Sequence, residues 1–175
     1  MAVSLIIYSS TDGHTKVICE KIKSYYGDKN NIKLISLKDA SNFKLSEYEN
    51  IIIGASIRYG KHSKDLYNFI KTNKEILEQK KSAFFSVNVV ARKLEKNSPA
   101  TNPYIKKFLK ISKWKPNKIK VFAGKVDYPN YSFFEKYVIK FIMFITKGPI
   151  DTSRSYEFTD WAKVEDFAKE LNLKY

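Results

Sequence analysis

The chain has little of what would announce a metal centre, a disulfide scaffold or a triphosphate loop. Its 175 residues include one cysteine, Cys19, and two histidines, His14 and His62. A lone cysteine excludes an intrachain disulfide and suits a reducing, cytoplasmic setting. Inside a helical pattern it reads as a small buried thiol. No group of His, Cys, Asp and Glu has metal-ligand spacing, so no metal is expected. No Ser–His–Asp order is recognisable, so no side-chain nucleophile is expected. The 6 glycines never form GxxxxGKS/T or GxGxxG, which excludes a triphosphate loop and a dinucleotide fingerprint of those types. No apolar run approaches the roughly 20 residues that span a bilayer. Met1 to Tyr8 lacks a basic start and a cleavage pattern, and reads as a first strand rather than a signal peptide.

Negative charge is scarce as well. Acidic residues number 18 against 32 basic ones, for a net charge of +14. An excess of that size points to an anionic partner: nucleic acid, an anionic membrane surface or an acidic small molecule. The lysines are spread along the chain rather than striped on one helix, so no nucleic acid is expected. Hydrophobic residues make up 43% of the chain, enough for one domain over 1–175 with a real core.

What is present is alternation. Val3 to Tyr8 is an apolar strand pattern, and Thr15 to Tyr26 a helical one with Val17, Ile18, Ile22 and Tyr25 on one side, ended by Gly27 and Asp28. Ile32 to Leu37 is a second strand, followed by a polar loop through Tyr48. Asn50 to Gly54 carries three consecutive isoleucines, typical of a strand covered on both faces. A helix over Ser63 to Leu77, a strand over Ser82 to Val90, a helix over Asn102 to Ser112 and a strand over Ile119 to Val126 follow. Thr159 or Asp160 caps a last helix to about Leu171, with Trp161, Val164, Phe167, Ala168 and Leu171 inward. Such alternation predicts an α/β fold: a five-stranded parallel sheet with helices on both faces and ligands at the carboxyl ends of its strands.

Three loops fall at those ends. The first, Ser10-Thr11-Asp12-Gly13-His14-Thr15, joins a strand to a helix. Its hydroxyls, its glycine and the helix amino terminus suit a phosphomonoester held by neutral donors. The second, Ser56-Ile57-Arg58-Tyr59-Gly60, offers Ile57 and Tyr59 to the face of a flat ring and Arg58 to an anion. The third, Ser86-Val87-Asn88-Val89-Val90-Ala91, offers the Asn88 amide to the edge of a heterocycle, with Arg92 and Lys93 beyond it. His14 and His62 are read as neighbours, not as acid or base.

The phosphate loop resembles that of flavodoxins, which bind FMN; their strand order 2-1-3-4-5, with FMN at the switch point, is implied by that resemblance. A more specific likeness covers nearly the whole chain. The runs Ile51–His62, Ser82–Lys96, Thr101–Leu109 and Phe158–Trp161 resemble the flavodoxin-like, quinone-dependent protoporphyrinogen dehydrogenases of haem biosynthesis. The resemblance implies that Ser10 to Thr15 bind the FMN phosphate, that Ser56 to Gly60 line one side of the isoalloxazine, and that Ser86 to Ala91 line another. It implies oxidation of protoporphyrinogen IX through FMN, with electrons passed to a membrane quinone such as menaquinone, and the cofactor carrying the chemistry. Arg58, Arg92 and Lys93 are candidate partners for the substrate's propionates. The alternatives are a flavodoxin-type electron carrier, which the basic charge disfavours, and an FMN-dependent quinone reductase.

The segment from Asp127 to Ser153 breaks the alternation. On a helical wheel Lys136, Lys140 and Lys147 share one sector, while Phe134, Val138, Phe141, Ile142 and Ile145 fall opposite. Such a helix either packs on the core or lies on an anionic membrane. The second outcome is expected here, over 133–147, and would place the protein at the inner face of the cell membrane.

Overall fold

A computed structural model describes residues 3–27 and 31–173; Asp28, expected to help end the first helix, lies outside the described residues. Five strands, β1 (Ser4–Ser9), β2 (Ile32–Ser36), β3 (Asn50–Ser56), β4 (Lys81–Val87) and β5 (Lys118–Phe122), form one sheet in the order β2-β1-β3-β4-β5. Every neighbouring pair is parallel. The fold class and strand order expected from sequence are therefore present.

Helices cover both faces. The register pairs Leu5 with Ile51, Ile6 with Ile52 and Ile7 with Ile53, and successive strand residues point to opposite faces. Leu5, Ile7, Ile51, Ile53 and Phe84 pack under α2 (Lys64–Gln79) and α3 (Pro103–Ser112), joined by Leu66, Ile70 and Phe108. The Phe84 and Phe108 rings stack 3.8 Å apart and parallel within 2°. Ile6, Ile52 and Phe85 pack on the other face, under α1 (His14–Tyr25) and α5 (Trp161–Leu171), with Ile18, Cys19, Val164 and Phe167. Gly54 is required in β3: a methyl group there would occupy the space of the Phe85 ring. Burial pushes the Cys19 thiol far up, which keeps it protonated and inert.

Three local expectations are corrected. The buried side of α1 carries Thr15, Ile18, Cys19 and Ile22, whereas Val17 and Tyr25 are exposed. The polar loop after β2 winds into two 3-10 turns, Leu37–Asn42 and Leu45–Glu47, that bury Ala40 and Leu45. The fifth strand stops at Phe122. The chain then turns at Ala123 and Gly124, whose carbonyls accept from the Thr159 hydroxyl and the Phe158 amide. It resumes as β6 (Lys125–Asp127), antiparallel to β7 (Ser155–Glu157).

Between β6 and β7 lies α4 (Phe133–Ile145). It opens with a capping box: Ser132 accepts from the Glu135 amide, and the Glu135 carboxylate accepts from the Ser132 amide. Its inward side supplies Met143 and Ile139 to a small third core with Val126 and Tyr128. Its outward side is apolar and solvent-facing: Phe133 is 78% exposed, Phe144 67% and Phe141 64%. Phe134, Tyr137 and Ile145 are exposed beside them. Most of the face that the wheel set opposite the lysines therefore points away from the body. Among the described residues no helix is long and apolar enough to cross a membrane.

Candidate functional site

The loop between β1 and α1 is built to receive an anion. Gly13 occupies the N-cap position of α1 with φ +84°, a conformation that glycine adopts without strain. No side chain caps the helix. Its first-turn amides and positive dipole end are left for a ligand. Two hydroxyl oxygens here, Ser10 Oγ and Thr15 Oγ1, are buried without a hydrogen-bond partner. An unpartnered buried hydroxyl costs about 1–3 kcal/mol, and the oxygens of a phosphate would relieve both. Ser10, Thr11, Asp12, His14 and Thr15 line one hollow with Ser56, Ile57, Val87, Asn88 and Val89. These donors fit a phosphomonoester.

His14 is spent on positioning. The Thr159 hydroxyl gives its proton to the Ala123 carbonyl at 2.9 Å, so at 2.6 Å from His14 Nε2 it accepts. Nε2 carries the proton. Burial, aided by nearby Lys125 and opposed by Glu157, holds His14 below its ordinary pKa.

The loop after β3 reverses through a tight turn. Arg58 N–H donates to Lys61 O at 2.9 Å, and the reciprocal bond closes at 3.2 Å. The two residues between have positive φ, +49° at Tyr59 and +75° at Gly60, as a two-residue hairpin turn of type I′ requires. Left-handed backbone costs a non-glycine residue about 1–2 kcal/mol. That strain presents Tyr59, 46% exposed, at the rim of a second hollow. This hollow is lined by Ile57 to Gly60, by Val89, Val90 and Arg92, and by Ile139, Ile142 and Met143 of α4. The two hollows share Asp12, Ile57, Val89 and Lys125, so a phosphate in one can be tied to a flat ring in the other.

Two arginines fasten α4 above that second hollow. Arg58 pairs with Asp12 of the first loop and with Glu135 of α4, each at 2.7 Å. Its guanidinium lies 5.0 Å from the ring centroids of both Tyr59 and Tyr131. At the far end, Arg92 donates to the Val89 carbonyl at 3.0 Å and to the Thr146 carbonyl at 2.7 Å. Desolvation holds the Asp12 carboxyl above the ordinary carboxylate range; the attraction of Arg58 opposes this and repulsion from Glu135 adds to it.

The third loop is braced from beneath. Asn88 Oδ1 accepts from the Ala91 amide at 3.1 Å and from Asn102 Nδ2 at 3.2 Å, while its Nδ2 donates to Ser86 Oγ at 3.2 Å. Ser86 Oγ also meets His62 Nε2 at 3.0 Å. The Asn88 amide, expected at the edge of a heterocycle, is therefore committed inside the fold, and caps the turn that aims Val89 and Val90. Burial, with a contribution from Lys107, holds His62 down at about 4.

Most of the expected residues do meet. Ser10, Thr11, Asp12, His14, Thr15, Ser56, Ile57, Val87, Asn88 and Val89 share one hollow; Arg58, Tyr59, Gly60, Val90 and Arg92 join Ile57 and Val89 around the other, and Gly13 lines neither. Ser86, Ala91 and Lys93 line neither. Arg58 and Arg92 are occupied by partners within the chain. Sequence reasoning missed Gly124, Lys125, Tyr104 and the inward side of α4. Gly124 and Lys125 follow the fifth strand, so the rule that pointed to the other loops points to them too. Among the described residues no cluster suits a metal ion.

The family described as Flavodoxin domain matches residues 5–153. A protoporphyrinogen IX dehydrogenase (quinone) of Leishmania major is 44% identical over 169 residues, covering 95% of this chain and 73% of that protein. The protein of the same name from Escherichia coli (strain K12) is 38% identical over 175 residues, covering 96% and 93%. The crystal structure of oxidised flavodoxin 1 from Bacillus cereus superposes with a TM-score of 0.56 at 18% identity over 97% of each chain, a likeness of fold.

Proposed function

Because the chain belongs to the flavodoxin domain family and, within it, to the quinone-dependent protoporphyrinogen IX dehydrogenases, we propose that it binds FMN in the two joined hollows and oxidises protoporphyrinogen IX to protoporphyrin IX, passing the electrons to a quinone. The observation that carries this is sequence identity of 44% and 38% over nearly the whole chain. The two unpartnered hydroxyls at the head of α1 support the cofactor from an independent direction.

FMN, when bound, supplies the two-electron chemistry. The chain supplies place and surroundings. Ser10, Thr11, Thr15 and the α1 amides hold the phosphate. Ile57, Tyr59, Val89 and Val90 line the ring hollow together with Ile139, Ile142 and Met143 of α4. Porphyrinogen loses six electrons and six protons on becoming porphyrin, so one porphyrin is matched by three quinones reduced to quinols. Lys93, whose ammonium makes no ion pair among the described residues, is the member of the expected trio free to meet a propionate.

The outward face of α4 supports a second part of the proposal. Exposed phenylalanines, the sector of Lys136, Lys140 and Lys147 on the same helix, and a net charge of +14 suit an anionic membrane surface. The protein then works at the inner face of the cell membrane, and its acceptor is a lipid quinone such as menaquinone.

The test is anaerobic mixing of FMN-loaded protein with protoporphyrinogen IX and a quinone, followed by porphyrin fluorescence. Quinone-dependent appearance of porphyrin is expected. Bound FMN without turnover would overturn the dehydrogenase in favour of an electron carrier.

A further inference from the structure

Tyr59 and Gly60 of the tight turn, and Tyr104 in the first turn of α3, belong to the wall of the ring hollow. Three lysines are tied to that wall. Lys107 follows Tyr104 by three positions, so the two are neighbours on the helix surface. Its charge also reaches His62, two residues past Gly60, and helps to hold that ring neutral. Lys96 lends its carbonyl to Asn102 Nδ2, the cap of α3, at 2.8 Å. Lys93 donates its amide to the carbonyl of Val90, another wall residue, at 3.1 Å. None of the three ammoniums has an ion pair among the described residues. From Lys93 to Val126 the chain carries ten lysines and a single carboxylate, Glu95, and α3 turns Lys106, Lys107 and Lys110 to solvent. The positive field beside the hollow is therefore scarcely neutralised from within the segment that makes it.

We propose that this lysine rim is where the porphyrinogen is read: its two propionates meet Lys93, Lys96 and Lys107, and its macrocycle lies against Tyr59 and Tyr104, outside the hollow that takes the flavin ring. This rests on the dehydrogenase reading above and adds the seat of its substrate. The chemistry of the substrate matches. Protoporphyrinogen carries its carboxylates on neighbouring pyrroles, so both leave from one edge, as cations gathered on one side require. Its body is apolar and puckered at the saturated bridging carbons, which suits aromatic side chains at a rim better than a closed slot. The acid-poor face of α3 beyond the rim draws the dianion in and raises the rate of encounter. The lysines act on binding alone and leave the redox step to the flavin.

The experiment uses the FMN-loaded protein in detergent micelles with a tail-less quinone. It compares protoporphyrinogen IX with its dimethyl ester, which lacks the two charges. Lys96→Gln with Lys107→Gln should raise KM for the diacid about fivefold, the effect of losing two exposed ion pairs, and leave kcat and the KM of the ester within about twofold of wild type. Lys96→Arg with Lys107→Arg should restore KM. Lys21→Gln with Lys23→Gln removes the same charge from α1, on the other face of the sheet, and should leave KM unchanged. Protoporphyrin IX keeps both propionates and does not react, so its fluorescence titration should show the same loss of affinity in the first pair. An unchanged KM, an equal rise for diacid and ester, or an equal effect from the α1 pair would overturn the rim. If the wild type holds FMN but turns over neither porphyrinogen, the dehydrogenase reading fails, and the protoporphyrin titration still decides whether these lysines bind the dicarboxylate.

Discussion

Helices α4 and α5 are close in length and both amphipathic, yet they divide their surfaces in opposite ways. Buried Val164, Phe167 and Ala168 lie on the inward side of α5, while Lys163, Asp166, Lys169 and Glu170 meet water. Only Met143 of α4 is buried, and its phenylalanines meet water. The difference shows that hydrophobicity alone does not say which way a helix faces. α5 is held along its length by apolar burial. α4 is held largely at its ends, by its capping box and Arg58 at one and by Arg92 at the other, which leaves its most apolar surface free for something outside the protein.

The largest expected effect comes from cutting the body under α5. Phe167 is fully buried against Phe85 and Phe122, and Phe167→Ala should cost about 3–5 kcal/mol, read as a lower urea midpoint. Acid should also act on the body rather than on α4. His62 titrates at about 4 when folded, against an ordinary 6.5. Between those values the unfolded chain takes up a proton that the folded chain refuses, so stability should be complete above pH 6.5 and fall by about 3 kcal/mol by pH 4. Urea midpoints across that range check it, and His62→Asn should flatten the slope.

A smaller effect lies at the phosphate loop. Ser10→Ala with Thr15→Val should weaken FMN binding at least tenfold, about 1.4 kcal/mol, without lowering the stability of the FMN-free protein, since both hydroxyls lack partners there. Fluorescence titration and thermal melts separate the two. The smallest effect on folding belongs to the outward face of α4. Phe133→Ser, Phe141→Ser and Phe144→Ser together should change stability by no more than about 0.5 kcal/mol while vesicle flotation is lost. A loss as large as that of Phe167→Ala would erase the contrast between the two helices.

The sheet was legible because alternating strands and helices leave a period-two and a period-3.6 pattern. The phosphate loop was legible because its chemistry is local. Other features depend on partners distant in sequence. The run from Ile119 to Val126 reads as one strand pattern, and only the hydrogen bonds of Phe158 and Thr159 reveal that it splits at Gly124. Arg58 reads as a free anion-binding residue until Asp12 and Glu135 are brought to it. Asn88 reads as a ring contact until Asn102, fourteen positions away, claims its carbonyl. α4 is apolar around most of its circumference, so a wheel cannot say which part of that surface the body takes.

Arg58 has one more consequence. A single guanidinium pairs with Asp12 of the phosphate loop and with Glu135 of α4, so if α4 meets lipid as proposed, a linkage between the two is expected. Whatever factor vesicles apply to the affinity for FMN, FMN must apply to the affinity for vesicles. Cutting the Arg58–Glu135 bond should bring that shared factor toward unity in both directions at once.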